Sequence, residues 1–293
     1  MTIIRSIRIL TCALGAITIT GLAEAQLSAS LKLSKRQYVA GEPVIAVVTV
    51  TNHSGQTLDF SNDGRIQWLD FNMKNSCGES VTPRSRKGFG RMTMKAGESL
   101  ARDVNLAELF QLSEPGNLSV SAVVRMPGNT GEGTATNRVL FNQSPGVPYW
   151  TQKVGIPGRA GQTREFRVLN FSGDERAQIY VQVIDGRTGN NVRTLLLGEV
   201  LMLRKPLVTV DKQQRLHVMY LATPTLWVHC QIDTDGTLVG HQVHRRGAQG
   251  DPQLLTFGDG TVRVSNSIPV DQKAAAEAKA KIRKASDRPA ITF

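Results

Sequence analysis

Four of the five histidines, His217, His229, His241 and His244, fall within 28 residues, with Cys230 among them. Imidazole and thiol are the side chains that hold transition metals and move protons near neutral pH. Convergence decides whether they do so. In an extended strand successive side chains alternate faces, so His229 and Cys230 point oppositely, and so do His241 and His244 at a spacing of three. His217 and His229 are the pair that adjacent strands can bring together. A structural zinc site needs four close ligands, and this spacing reads as half-buried strand histidines instead. No metal or other cofactor is implied. Asp233-Thr234-Asp235-Gly236 opens like a calcium loop, but its twelfth position, where a bidentate Glu belongs, is His244. An Asp-Gly hairpin turn accounts for the same residues.

Reactive motifs are absent from the sequence. There is no G-x-S-x-G, H-E-x-x-H or S-x-x-K, and no Gly-Lys-Ser/Thr loop to cradle phosphate. Carboxylates stand singly in turns, as at Asp211 and Asp259. The densest basic cluster is Arg84, Arg86, Lys87 and Arg91 around Gly88-Phe89-Gly90, a solvated loop or an anion contact. Of the tryptophans, Trp68 and Trp227 sit in core-like strands, which leaves Trp150 as the candidate platform for a glycan or peptide. Candidate ligand contacts are therefore Trp150, His217, His229, Arg84, Arg86, Lys87 and Arg91.

These residues are carried on strands. The chain has 293 residues, 40% hydrophobic and 20% charged, which excludes a disordered or fibrous polymer and allows two domains. Residues 1–25 read as a cleaved signal peptide: Arg5 and Arg8, an apolar run from Ile9 to Ile19, then Ala23-Glu24-Ala25. That run is too short to span a bilayer, and no later segment could. Export to the periplasm or the medium follows. Leu27, Ala29, Leu31 and Leu33 alternate with polar residues, Val44 to Thr51 is β-branched, Ile66 to Met73 suits a central strand, and Leu118, Val120, Ala122 and Val124 form one face of another. One helical turn fits Leu106 to Leu112.

Ser144-Pro145-Gly146-Val147-Pro148 breaks both periodicities and marks a joint over 144–150. Beyond it, four turns each precede a strand opening on an apolar residue, Val192, Leu216, Leu238 and Val262, at spacings of 24, 22 and 24 residues. A period near 23 fits one hairpin plus its connection. Pro206-Leu207-Val208-Thr209 recurs in outline 46 residues later at Pro252-Gln253-Leu254-Leu255. Residues 271–293 turn to Ala, Lys and Glu, a composition that suits a short helix or a disordered tail.

Tyr38, Gly41-Glu42-Pro43, the Val47 to Asn52 strand ending in Ser54-Gly55, and Pro115-Gly116 resemble bacterial immunoglobulin-like modules of secreted proteins, over nearly all of 26–143. Leu118 stands where such modules often carry a corner Tyr. Pro206 to Val243, with Val210-Asp211, Arg215-Leu216-His217-Val218 and Ile232-Asp233-Thr234-Asp235-Gly236, resembles a β-propeller blade. The whole is similar to uncharacterised secreted bacterial proteins that join such a module to a short β-repeat region, a resemblance that implies architecture and location but no chemistry. The expected fold is therefore all-β: an immunoglobulin-like β-sandwich at 26–143, a linker at 144–150, and a propeller-like antiparallel β-hairpin repeat at 151–270. Two to three blades are too few to close a ring in one chain.

Net charge is +11 and spread evenly, +3 over 26–148, +4 over 149–270 and +3 over 271–293. Specific nucleic-acid binding needs a concentrated basic stripe with stacking aromatics, which is missing. Attraction to an acidic surface or polymer remains. Cys77 and Cys230 fall in different domains and read as free thiols. The functional expectation is an exported, non-enzymatic interaction or envelope-associated protein with a protein or glycan partner. The alternatives are a secreted polysaccharide hydrolase with a loop-borne site in the repeat region, and a polyanion-binding surface.

Overall fold

The computed structural model describes residues 26–62, 66–85, 88–128, 133–173 and 176–271. The expected signal peptide, and the expected tail from 272 onward, lie outside these residues, as do Arg86 and Lys87. The described residues are all-β, 61% strand and 2% helix. Among the described residues no sheet closes into a barrel.

The first unit contains β1 (Leu27–Leu33), β2 (Gln37–Val39), β3 (Ile45–Asn52), β4 (Leu58–Phe60), β5 (Leu69–Asn75), β6 (Met92–Met94) and β7 (Ser99–Asn105), then the single helical turn α1 (Leu106–Leu109), β8 (Gly116–Val124), β9 (Thr134–Ala135) and β10 (Val139–Ser144). Strand order is β1-β3-β7 in one sheet and β2-β10-β8-β5 in the other. The β-branched run of β3 alternates strictly between buried and half-buried positions, as a strand with one face on a core must. Ala46, Val48 and Val50 from β3 share that core with Leu69, Met73, Val120, Ala122 and Val124 of the other sheet. Asn105 caps α1 by accepting from the Ala107 amide at 3.2 Å. β5 is an edge strand rather than the central one expected, and Trp68 precedes it, buried against Phe60. Hydropathy could not separate the two, because an edge strand covered by loops is as apolar as a central one.

The second unit begins at once. β11 (Val147–Ile156) starts two residues after β10, so the joint is only Pro145 and Gly146 rather than all of 144–150. Pro148 fits inside a strand because β11 lies at a sheet edge, where a missing N–H costs no ladder bond, and the register shifts just beyond it. β11, β12 (Arg159–Ser172), β13 (Ala177–Asp185) and β14 (Asn191–Glu199) pair in sequence order as one antiparallel layer. A second layer has the order of β15 (Leu207–Val210), β16 (Leu216–Thr223), β17 (Leu226–Ile232), β18 (Leu238–Arg246) and β21 (Ser267–Val270). Phe166, Val168, Ile179, Val181 and Val183 of the first layer pack on Leu216, Val218, Tyr220, Cys230 and Ile232 of the second. The third layer is the hairpin of β19 (Gln253–Thr256) and β20 (Val262–Ser265). Leu254 and Val264 from this hairpin pack on Met219, Leu221 and Trp227, which occupy the other face of the second layer. Pro269 lies within β21, the outermost strand of that layer, opposite His244.

Side-chain and backbone hydrogen bonds tie the turns of neighbouring layers together. Arg164 of β12 donates to the Asp185 carboxylate and, at 3.3 Å, to the Thr234 carbonyl of the second layer. The Lys212 amide donates to the Gly260 carbonyl of the third at 2.8 Å. The four strands expected after turns begin at Asn191, Leu216, Leu238 and Val262, each within one residue of its expected apolar opening.

Candidate functional site

The two units meet through the segment Lys35 to Glu42. The Gly41-Glu42-Pro43 turn lets Glu42 fold back, so that its Oε1 accepts from the Val39 amide at 2.8 Å while the residue stays 2% exposed. Lys35 Nζ donates to both carboxylate oxygens, at 3.0 and 2.8 Å, and to the Tyr180 hydroxyl of β13 at 2.8 Å. Its ammonium also lies 5.2 and 5.4 Å from the ring centres of Tyr38 and Tyr180. Burial, and then the nearby Glu42 charge, raise the Tyr180 phenol well above its usual range. It therefore keeps its proton and donates to Gln178 Oε1 at 2.8 Å. One turn further on, the Ala40 carbonyl accepts from Gln182 Nε2 at 3.2 Å and Thr194 Oγ1 at 2.9 Å. Val39 joins Leu169, Phe171 and Tyr180 in a small apolar cluster. The first unit thus covers the face of the β11–β14 layer that is turned away from the second layer.

Beside this latch opens a cleft of about 260 Å³ lined by Ser34, Lys35 and Gln37 from the first unit and Gly173, Arg176, Gln178 and Glu199 from the second. Its wall is polar and close to neutral. Lys35 is matched by Glu42, and Arg176 Nη1 lies 2.6 Å from Glu199 Oε2. Glu199 is the one carboxylate among the described residues that line it.

The second cluster is the row of histidines on the second layer. His217 Nε2 lies 3.2 Å from Asp211 Oδ2, and His217 Nδ1 lies 3.0 Å from His229 Nε2. A carboxylate only accepts, so His217 carries its proton on Nε2 and receives at Nδ1 from His229 Nε2–H. The two rings stack at 5.2 Å and 23°, and His244 follows at 6.2 Å. All three are more than nine-tenths buried. Neither ring nitrogen of His244 has a hydrogen-bond partner. Burial lowers the pKa of each, taking that of His229 to about 4 with help from the flanking imidazoles, while Asp211 partly opposes the fall at His217. Among the described residues no three His, Cys, Asp or Glu side chains are placed to hold a metal ion.

No protein family matches this chain, and no curated protein matches it either.

Of the residues singled out from sequence, His217 and His229 come together as expected, and Cys230 turns to the opposite face, into the core between the layers. His241 is exposed. Trp150 is half-buried against that same core, and Trp68 and Trp227 are buried. Arg84 and Arg91 are exposed, whereas Arg86 and Lys87 lie outside the described residues. Asp233 Oδ1 accepts from the Asp235 and Thr237 amides at 3.0 and 2.8 Å, the geometry of a hairpin turn. Cys77 and Cys230 are free, one exposed and one buried. Sequence reasoning missed Lys35, Glu42, Tyr180 and the cleft. Its one available signal was an acid between Gly41 and Pro43, in a turn where it could fold back on its own backbone.

Proposed function

We propose that this chain is an exported, non-enzymatic binding protein of the cell envelope, in which an immunoglobulin-like sandwich holds a propeller-like stack of β layers. Its ligand is a hydroxyl-rich glycan seated in the cleft between them. The observation that carries this reading is the cleft wall. Two primary amides, Gln37 and Gln178, the Ser34 hydroxyl and the Arg176 guanidinium come from both units and line the cleft beside the Lys35–Glu42 pair. Planar amide and guanidinium groups bond neighbouring hydroxyls in pairs, and a near-neutral wall suits an uncharged ligand better than a polyanion. About 260 Å³ is small for a binding pocket and suits one or two sugar rings. The propeller-like reading is supported by antiparallel layers that follow one another in sequence, each packed on its predecessor. Export rests on the pattern of residues 1–25.

The test is calorimetric titration of the chain from Gln26 with envelope polysaccharide fragments, repeated with Gln178→Ala and Arg176→Ala. Binding that weakens at least tenfold in both variants supports the proposal. It is overturned by no binding across the panel, by binding that neither variant changes, or by turnover of any fragment. Retention on heparin that collapses with salt yet ignores both variants would move the ligand to the basic surface.

A further inference from the structure

The histidine row lies where the third layer is seated. Thr209, paired with His217 across β15 and β16, bonds Thr256 of β19 through their hydroxyls at 3.2 Å. Met219, Leu221 and Trp227, which share the histidine face, receive Leu254 and Val264. At its tip it is held by the Lys212 to Gly260 backbone bond and the 3.5 Å pair of Lys212 with Asp259, and at its base by Asp251, which pairs with Arg204 and Arg246. Two strands are marginal alone, and the least-anchored layer opens first.

We propose that the Asp211, His217, His229 and His244 row is an acid-sensitive clasp that releases the β19–β20 hairpin as pH falls, uncovering the Met219, Leu221 and Trp227 face. The row can take a proton only by placing charge between two layers. His217 is bonded at both nitrogens, and His229 is stacked on His217 with His244 tilted against its other side. Few charges nearby could stabilise an added proton. Asp211 is bonded to His217, and Arg215 beside it opposes protonation. Lys212 and Asp259 pair with each other. Arg246, two residues beyond His244 on β18, is held by Asp251, which also pairs with Arg204. On β20, Arg263 lies over the Phe257 ring. β17 and β21 contribute no other ionisable side chain to this face. The opposite face of the second layer buries Tyr220 and Cys230, which burial keeps protonated and neutral across this range, so acid adds no charge through them.

Opening removes the burial that is the largest cause of the fall at His229, so its pKa rises from about 4 towards the ordinary 6.5. The covered state is therefore fully favoured above 6.5 and loses ground as pH falls from 6.5 towards 4. At pH 4.5 this shifts opening by up to about 80-fold through His229. Hydrogen exchange, corrected for the intrinsic effect of pH, tests the proposal on the chain from Gln26. Between pH 7.5 and 4.5 the amides of Gln253–Ser265 are expected to lose protection by at least tenfold, while β3 and β13 keep theirs. His229→Gln, which retains a donor for His217, should remove most of that response. The proposal fails if hairpin protection changes less than threefold, if all segments lose protection together, or if the variant responds like the parent. Should the variant not fold, the comparison of segments in the parent decides alone.

Discussion

Replacing Glu42 by Gln keeps the shape of the interdomain latch and removes its charge. The Glu42 side chain is 3% exposed and that of Lys35 is 24% exposed, so the variant leaves an ammonium three-quarters buried without its counter-charge. Breaking a fully buried pair costs about 3–5 kcal/mol, and the partial exposure of Lys35 brings the expectation to about 2–3 kcal/mol. Lys35→Met should cost a similar amount, since it strands the carboxylate while keeping contact with the Tyr38 and Tyr180 rings. With both changes the penalties should not add, because the pair is then gone rather than broken. Urea unfolding of the four proteins gives the coupling energy, expected at about 2 kcal/mol. Hydrogen exchange at Val39, Ala40 and Gly41 should rise in each single variant, reporting that the loss lies at the joint. A coupling energy below about 0.5 kcal/mol would refute the view that this pair fixes the two units together.

Gly41 has φ +82°, and a Cβ there would lie 2.1 Å from Asn191 Nδ2, whereas Gly97 at φ +75° has open space around it. Gly97→Ala should cost about 1 kcal/mol of backbone strain, and Gly41→Ala at least about 1 kcal/mol more, measured by thermal unfolding. Burial pushes the Cys230 thiol up to about 12, while Cys77 is exposed. Iodoacetamide at pH 8 should therefore label Cys77 alone in the folded chain from Gln26 and both thiols in urea, as counted by intact mass.

Period and punctuation were legible in the sequence. Asp-Gly-Thr at 235–237 and 259–261 fixed where β18 and β20 begin, because few residues other than glycine take the turn conformation of Gly236 and Gly260. Which way the opening residues point was less legible. Leu216 is buried, but Val192 and Leu238 are exposed, since register shifts beside β14 and β18 turn their first residues outward. The pairing of His217 with His229 followed from alternation on adjacent strands. The third imidazole did not, because placing His244 requires knowing that β18 pairs with β17 so that His244 faces Trp227. The interdomain cleft was hidden for the same reason: Lys35 and Tyr180 are 145 residues apart, and local patterning carries no information at that range.

Pro269 has a consequence for how the protein behaves when crowded. β21 is the last rung of its sheet, and a rung with free amides along its outer side invites a neighbouring molecule to add another. A ring nitrogen without hydrogen, midway along a four-residue rung, interrupts that invitation where the sheet would otherwise grow. Edge-to-edge stacking of molecules into fibres is thereby discouraged at this border by a single imino acid.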